Sequence, residues 1–137
     1  MLIEAANGAT VTVKADDMWK NFLLVALGGV CGSMLRYAVT LLTEFWAHPS
    51  WTGTLFVNAV GSFLMGAVLA VFSKGDVNLL LAVGFCGSFT TYSTFSAQTM
   101  AMLRNGQFLL AAAYMALTLL VCLLFIWCGM ALGDRAN

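Results

Sequence analysis

The sequence predicts an all-α integral membrane protein with four transmembrane helices. Three observations carry that prediction. Hydrophobic residues make up 61% of the 137-residue chain and charged residues 9%, against soluble norms of about 45–50% and about 25%; mean hydropathy is +0.92. Asp, Glu, Lys and Arg are absent from 45–73, 77–103 and 105–133, and each run exceeds the ~20 apolar residues that cross a bilayer core. The lone Pro49 falls in a connector, so no proline kinks a span. This composition excludes a soluble globular domain and a disordered chain. A formal net charge of zero offers no electrostatic footing on nucleic acid, so no nucleic-acid partner is expected. With four crossings little chain is left for an extramembrane catalytic domain, no nucleophile–base pair is evident, and no enzyme is expected.

The elements follow in order. Residues 1–17 are polar and mildly β-prone at 9–13, and lack the basic, apolar and cleavage regions of a signal peptide. They read as an N-terminal extension, with the four-helix membrane domain at 18–137. The first span is 19–43, carrying Gly28, Gly29 and Gly32 and interrupted by Arg36. The second is 52–72, with Gly61 and Gly66. The third is 77–103, where Gly84 and Gly87 precede a polar cluster. The fourth is 108–132. The connectors 44–51, 73–76 and 104–107 are short enough to make sequential helices antiparallel neighbours in a bundle. Trp19, Trp46, Trp51 and Trp127 stand at span ends, where an interfacial aromatic belt is expected.

Small residues four apart recur at Gly28–Gly32, Gly29–Ser33, Ser62–Gly66, Gly84–Ser88 and Gly129–Gly133. Such pairs let helix backbones approach closely where lipid supplies no hydrophobic drive. The four cysteines (Cys31, Cys86, Cys122 and Cys128) lie in apolar spans and read as small packing residues. With a single His48 they form no zinc pattern. Lys14, Lys20, Lys74 and Arg135 fall on one side of the membrane and Arg104 on the other, which favours both termini inside. Discounting the extension and crediting Arg36 to the far side narrows the bias to three against two, an imbalance that allows insertion in both orientations.

Polar residues inside the spans locate the candidate function. Arg36 is the one charge well inside a span, where it costs at least ~2.5 kcal/mol; it either caps helix C-terminal carbonyls or raises anion concentration in a vestibule. Asn58 needs partners if buried: an interhelical hydrogen bond is one reading, a pore-lining anion ligand the other. From Thr90 to Ser96 six of seven residues carry a hydroxyl, and Phe95 is the seventh. Hydroxyls in membrane helices usually bond back to their own helix, but a run this dense beside Gly84 and Gly87 predicts a helix broken at 87–91. Irregular backbone at membrane depth is tolerated where it is buried or lines a cavity. Its freed carbonyls can hold a hard cation such as Na⁺. Beyond the break, Tyr92 and Phe95 project from similar faces, and ring edges carry positive potential that suits a small desolvated anion. Tyr114, Thr118 and Cys122 make a polar stripe on span four.

These residues are similar to a known family. Gly28-Gly29-x-x-Gly32-x-x-x-Arg36-Tyr37, Gly53-Thr54-Leu55-x-Val57-Asn58 and Gly87-x-x-Thr90-Thr91-Tyr92-Ser93-Thr94-Phe95-Ser96 resemble the Fluc (CrcB) fluoride channels, in order and in spacing, over residues 19–137. The resemblance implies four helices per subunit, the third broken in mid-membrane, in an antiparallel dual-topology homodimer with two fluoride pores. It implies a structural sodium ion at the dimer centre, with Gly87 and Thr90 giving backbone carbonyls to it. Asn58 would donate to fluoride, and Tyr92 and Phe95 would occupy the two positions of the phenylalanine box. Tyr114 and Thr118 would continue a polar track with Thr91, Ser93 and Thr94 nearby, Thr54 would be a weaker contributor, and Arg36 would serve the vestibule or dimer packing. Three departures stand out: Tyr92 where the family usually has Phe, Gln98 where many members have Glu, and Cys122 where a Ser often extends the track.

The function these features imply is a passive fluoride-selective channel in a bacterial inner membrane, exporting fluoride from the cytoplasm and conferring fluoride resistance. The alternative is a small multidrug-resistance-type, proton-coupled dimeric transporter. That class relies on a membrane-embedded Glu, whereas Glu44 lies at a helix end.

Overall fold

The computed structural model describes residues 2–4, 10–12, 15–72 and 74–136. Two short strands, β1 (Leu2–Glu4) and β2 (Thr10–Thr12), pair antiparallel with Ile3 opposite Val11. The β-prone stretch at 9–13 is therefore a strand at 10–12; Ala9, Val13 and Lys14, the last counted in the charge balance, lie outside the described residues, as does Ser73 of the second connector. Helix α1 (Ala15–Phe45) starts four residues before the span drawn from sequence and takes in the end of the extension. Helix α2 is Ser50–Val71. The third span is composite: α3 (Asp76–Asn78), a π-helical stretch Leu79–Cys86, α4 (Gly87–Phe89) and, after a break, α5 (Tyr92–Arg104). Helix α6 (Phe108–Ala136) closes the chain. Among the described residues four helical spans are long and apolar enough to cross a membrane, so the chain is a multi-pass membrane protein.

Small residues decide how the helices pack. A Cβ on Gly28 would run into the Leu80 carbonyl and lie 2.8 Å from the Phe85 nitrogen, so α1 lies directly on the backbone of the π-helical stretch. Gly66 faces the Ile126 carbonyl and Gly129 the Phe63 carbonyl in the same way, while Gly133 meets Ala70. These contacts advance together along both chains, so α2 and α6 run parallel. This packing bears out the small-residue pattern and leaves the large side chains outward: Leu23, Leu27, Met34 and Leu120 are all exposed, as expected of surfaces that face lipid or a second chain.

The connectors are closed by backbone caps. After α5, Gly106 adopts φ +72°, its N–H donates to the Leu103 carbonyl, and the Gln107 N–H reaches the Met102 carbonyl at 2.9 Å; this is the Schellman closure that glycine favours. The end of α1 repeats it, with the Ala47 N–H on the Glu44 carbonyl and the His48 N–H on the Thr43 carbonyl, both at 3.0 Å. Here the left-handed position is held by Ala47, at φ +52°. A left-handed L-residue costs roughly 1–2 kcal/mol. Ala47→Gly is therefore expected to stabilise the protein by about 1 kcal/mol, read as a higher melting temperature by circular dichroism in detergent.

Candidate functional site

The break in the third span organises the site. Helix α4 ends at Phe89; Thr90 (φ −79°, ψ 157°) and Thr91 (φ −148°, ψ 116°) are extended. The sequence expectation of a break at 87–91 is thus narrowed to two residues, with Gly87 still helical. Hydrogen bonding replaces what the helix gives up. The Thr91 N–H donates to Asn58 Oδ1 at 2.7 Å, and Asn58 Nδ2 donates to the Thr91 carbonyl at 3.1 Å. Thr91 Oγ1 accepts from the Thr94 N–H at 3.2 Å and caps α5, and it donates to Thr94 Oγ1 at 3.1 Å. Thr90 donates through both N–H and Oγ1 to the Cys86 carbonyl, at 3.0 and 2.9 Å. Asn58 therefore makes the interhelical bonds of one sequence reading and, with one of its two amide hydrogens so used, retains a donor for the other.

The same bonds sort the carbonyls. In a continuous helix Gly87 would accept from the Thr91 N–H and Thr90 from the Thr94 N–H. Both donors are committed elsewhere, to Asn58 and to Thr91 Oγ1. The Ser88 carbonyl is taken by Arg36 Nε at 3.1 Å, so Arg36, half-buried, caps the last turn of α4 across 52 residues of sequence. What is left at Gly87 and Thr90 is carbonyl oxygen without its helical donor, the chemistry that suits a hard cation. No group of three or more His, Cys, Asp or Glu able to hold a metal occurs among the described residues.

Beside the break a groove of about 340 Å³ opens between α2, α6 and α5. From α2 it takes Asn58, Gly61, Ser62 and Met65, from α6 Met115, Thr118, Leu119, Cys122 and Ile126, and from the break Thr90, Thr91, Tyr92 and Phe95. None of these residues is charged. Thr118 is 8% exposed, and its Oγ1 is buried without a hydrogen-bond partner among the described residues. An unsatisfied buried hydroxyl costs about 1–3 kcal/mol, so it marks a position built for something other than packing. The Tyr92 and Phe95 rings lie 5.7 Å apart at 43°, with Tyr92 80% exposed at the rim.

The groove thus gathers Asn58, Thr90, Thr91, Tyr92, Phe95, Thr118 and Cys122 of the residues singled out from sequence. Others stand behind it. Ser93 and Thr94 belong to the capped first turn of α5, where Ser93 Oγ lies 3.2 Å from Thr91 Oγ1. Tyr114, also expected on the polar track, is 2% exposed and outside the groove lining. Its ring packs on Phe95 at 5.1 Å and on Trp51 at 5.6 Å, and its hydroxyl donates to Gln98 Oε1 at 2.9 Å. Thr54 is buried beside it. The sequence reading missed Ser62, Met65 and Met115 as lining residues; Ser62 carried a signal, standing one turn after Asn58 on the same helical face.

Known proteins resemble the chain over most of its length. Residues 23–130 match the model of a family described as CrcB-like protein, Camphor Resistance (CrcB). Among curated proteins, the chain is 41% identical over 113 residues to the "Fluoride-specific ion channel FluC" of Elusimicrobium minutum (strain Pei191), covering 80% of this chain and 90% of that one. It is 38% identical over 117 residues to the protein of the same name from Shewanella sp. (strain ANA-3), covering 82% and 94%. A third, from Shewanella woodyi (strain ATCC 51908 / MS32), is 37% identical over 117 residues.

Two outcomes test the site. Asn58→Leu strands the Thr91 N–H and carbonyl, at a cost of about 1–3 kcal/mol, and is expected to lower the melting temperature and speed hydrogen exchange at the Thr91 amide. Thr118→Val removes an unpaired hydroxyl at constant shape and is expected to leave stability unchanged or raise it by about 1 kcal/mol, by the same melting measurement.

Proposed function

The chain belongs to the CrcB-like family, and from that membership we propose that it is a fluoride-selective ion channel, which passively exports fluoride from the cytoplasm across the bacterial inner membrane. The fluoride-channel names of its curated relatives support the permeant ion. The observation that carries the reading in the structure is the uncharged groove in which a buried Thr118 hydroxyl, without a partner among the described residues, lines the same space as Asn58, Tyr92 and Phe95. Fluoride is small and strongly hydrated, so a dry path must replace its water with short, strong donors. Here the donors are neutral: the free amide hydrogen of Asn58, the hydroxyl of Thr118 and the positive edges of Tyr92 and Phe95. A fixed cation in the path would hold the ion; neutral donors replace hydration and let it leave, the balance conduction needs. Efflux follows the gradient with help from an inside-negative potential, and no chemical reaction is involved.

The working unit in this reading is an antiparallel dual-topology homodimer, in which a second copy covers the open side of the groove and the exposed Tyr92. The small Lys/Arg bias and the long apolar face of α1 support it. A structural sodium ion at the dimer centre is part of the same proposal: the Gly87 and Thr90 carbonyls would hold it, and it would neutralise carbonyls brought together from two copies. The proton-coupled multidrug transporter is not favoured, since no acidic residue lines the groove and Glu44 is exposed at the end of α1.

Purified protein in liposomes is expected to release fluoride electrogenically without a proton gradient, and chloride at least ~100-fold more slowly, which corresponds to a difference of about 2.7 kcal/mol in barrier. Phe95→Ile is expected to reduce fluoride release at least ~10-fold, about 1.4 kcal/mol, while the dimer elutes unchanged from a sizing column. Equal chloride release, or fluoride release that requires a proton gradient, would sink the channel reading.

A further inference from the structure

The groove does not end at the break. On α2 it continues past Asn58 to Ser62, and on α6 past Thr118 to Cys122. Because α2 and α6 run parallel, these steps go in the same direction, each about 6 Å along its helix. Membrane-helix hydroxyls ordinarily bond back to a carbonyl of their own helix, and in this chain Ser33, Thr40, Thr43, Thr90, Ser96 and Thr99 all do so. Ser62 does not: it is half-buried, lines the groove, and its hydroxyl has no hydrogen-bond partner among the described residues. It shares that state with Thr118, the buried unpaired hydroxyl on the facing helix. Two unspent hydroxyls on two helices therefore open on one uncharged space.

Resting on the channel reading above, we propose that Ser62 is a further fluoride-contacting residue, which extends the line of neutral donors from Asn58 along α2 toward the level of Cys122. Its O–H takes over the ion as it leaves Asn58 and Thr118, on the stretch where α6 offers only the weak S–H donor of Cys122. The α2 side supplies there what the α6 side lacks. Because the hydroxyl is bonded to nothing among the described residues, its removal takes a donor from the ion and no bond from the described fold.

Ser62→Ala should lower fluoride release from liposomes about tenfold, with the melting temperature and the elution of the dimer unchanged. Thr118→Val, measured alongside, should also lose at least tenfold. Release by Ser62→Ala within twofold of the unsubstituted protein, while Thr118→Val is impaired, would overturn the proposal and leave the channel reading standing. A fall in release accompanied by a lower melting temperature would make the Ser62 hydroxyl structural and would also overturn it. No fluoride release by the unsubstituted protein would remove the channel reading, and the role of Ser62 with it.

Discussion

A helix that stops in the middle of a membrane leaves amides and carbonyls with no water to receive them, at several kcal/mol for each group left unpaired. The rest of this structure depends on how that debt is met. Asn58 pairs with both backbone groups of Thr91, Thr91 Oγ1 takes the Thr94 N–H, and Arg36 takes the Ser88 carbonyl. The residues that read from sequence as misplaced polarity are thus the ones that make an extended two-residue segment tolerable at depth. Once the break is held, it brings Thr90, Thr91 and the Tyr92 and Phe95 rings to the groove. It also leaves the Gly87 and Thr90 carbonyls without their helical donors.

Packing by small residues keeps this arrangement shut elsewhere. The Gly66 and Gly129 contacts bring α2 and α6 to backbone distance. The Gly28 contact seats α1 on the π-helical stretch, which places Arg36 within reach of α4. An eight-residue π-helix is long for an element that usually spans one turn. Only the three residues of α4 separate it from the break, and the Gly28 contact falls within it.

The sequence made the spans legible because charge-free runs are a direct record of bilayer thickness, and the break legible because clustered hydroxyls have no cheap place in an intact membrane helix. Asn58, Tyr92, Phe95 and Thr118, singled out by residue type, spacing and family resemblance, line one groove. Other features needed three dimensions. Arg36 is paired across 52 residues, which no local pattern records. Tyr114 turned inward to Gln98, because a ring packed between Phe95 and Trp51 fills volume that a pore-lining ring would leave open. The π-helical stretch has no sequence period of its own, since Leu79–Cys86 is apolar throughout. Ala47 in a left-handed cap lacks the usual glycine signature.

The aromatic chain behind the groove makes one tryptophan different from the others. Trp19, Trp46 and Trp127 are each about two-thirds exposed. Trp51 instead touches Tyr114, which touches Phe95, which touches Tyr92, with centroid separations of 5.6, 5.1 and 5.7 Å. Its indole is linked through a chain of tilted rings to the groove wall. The protein therefore carries a native optical reporter of that wall: a chain with Trp51 as its sole indole would register in its emission spectrum any shift of the Phe95 ring, with no dye attached.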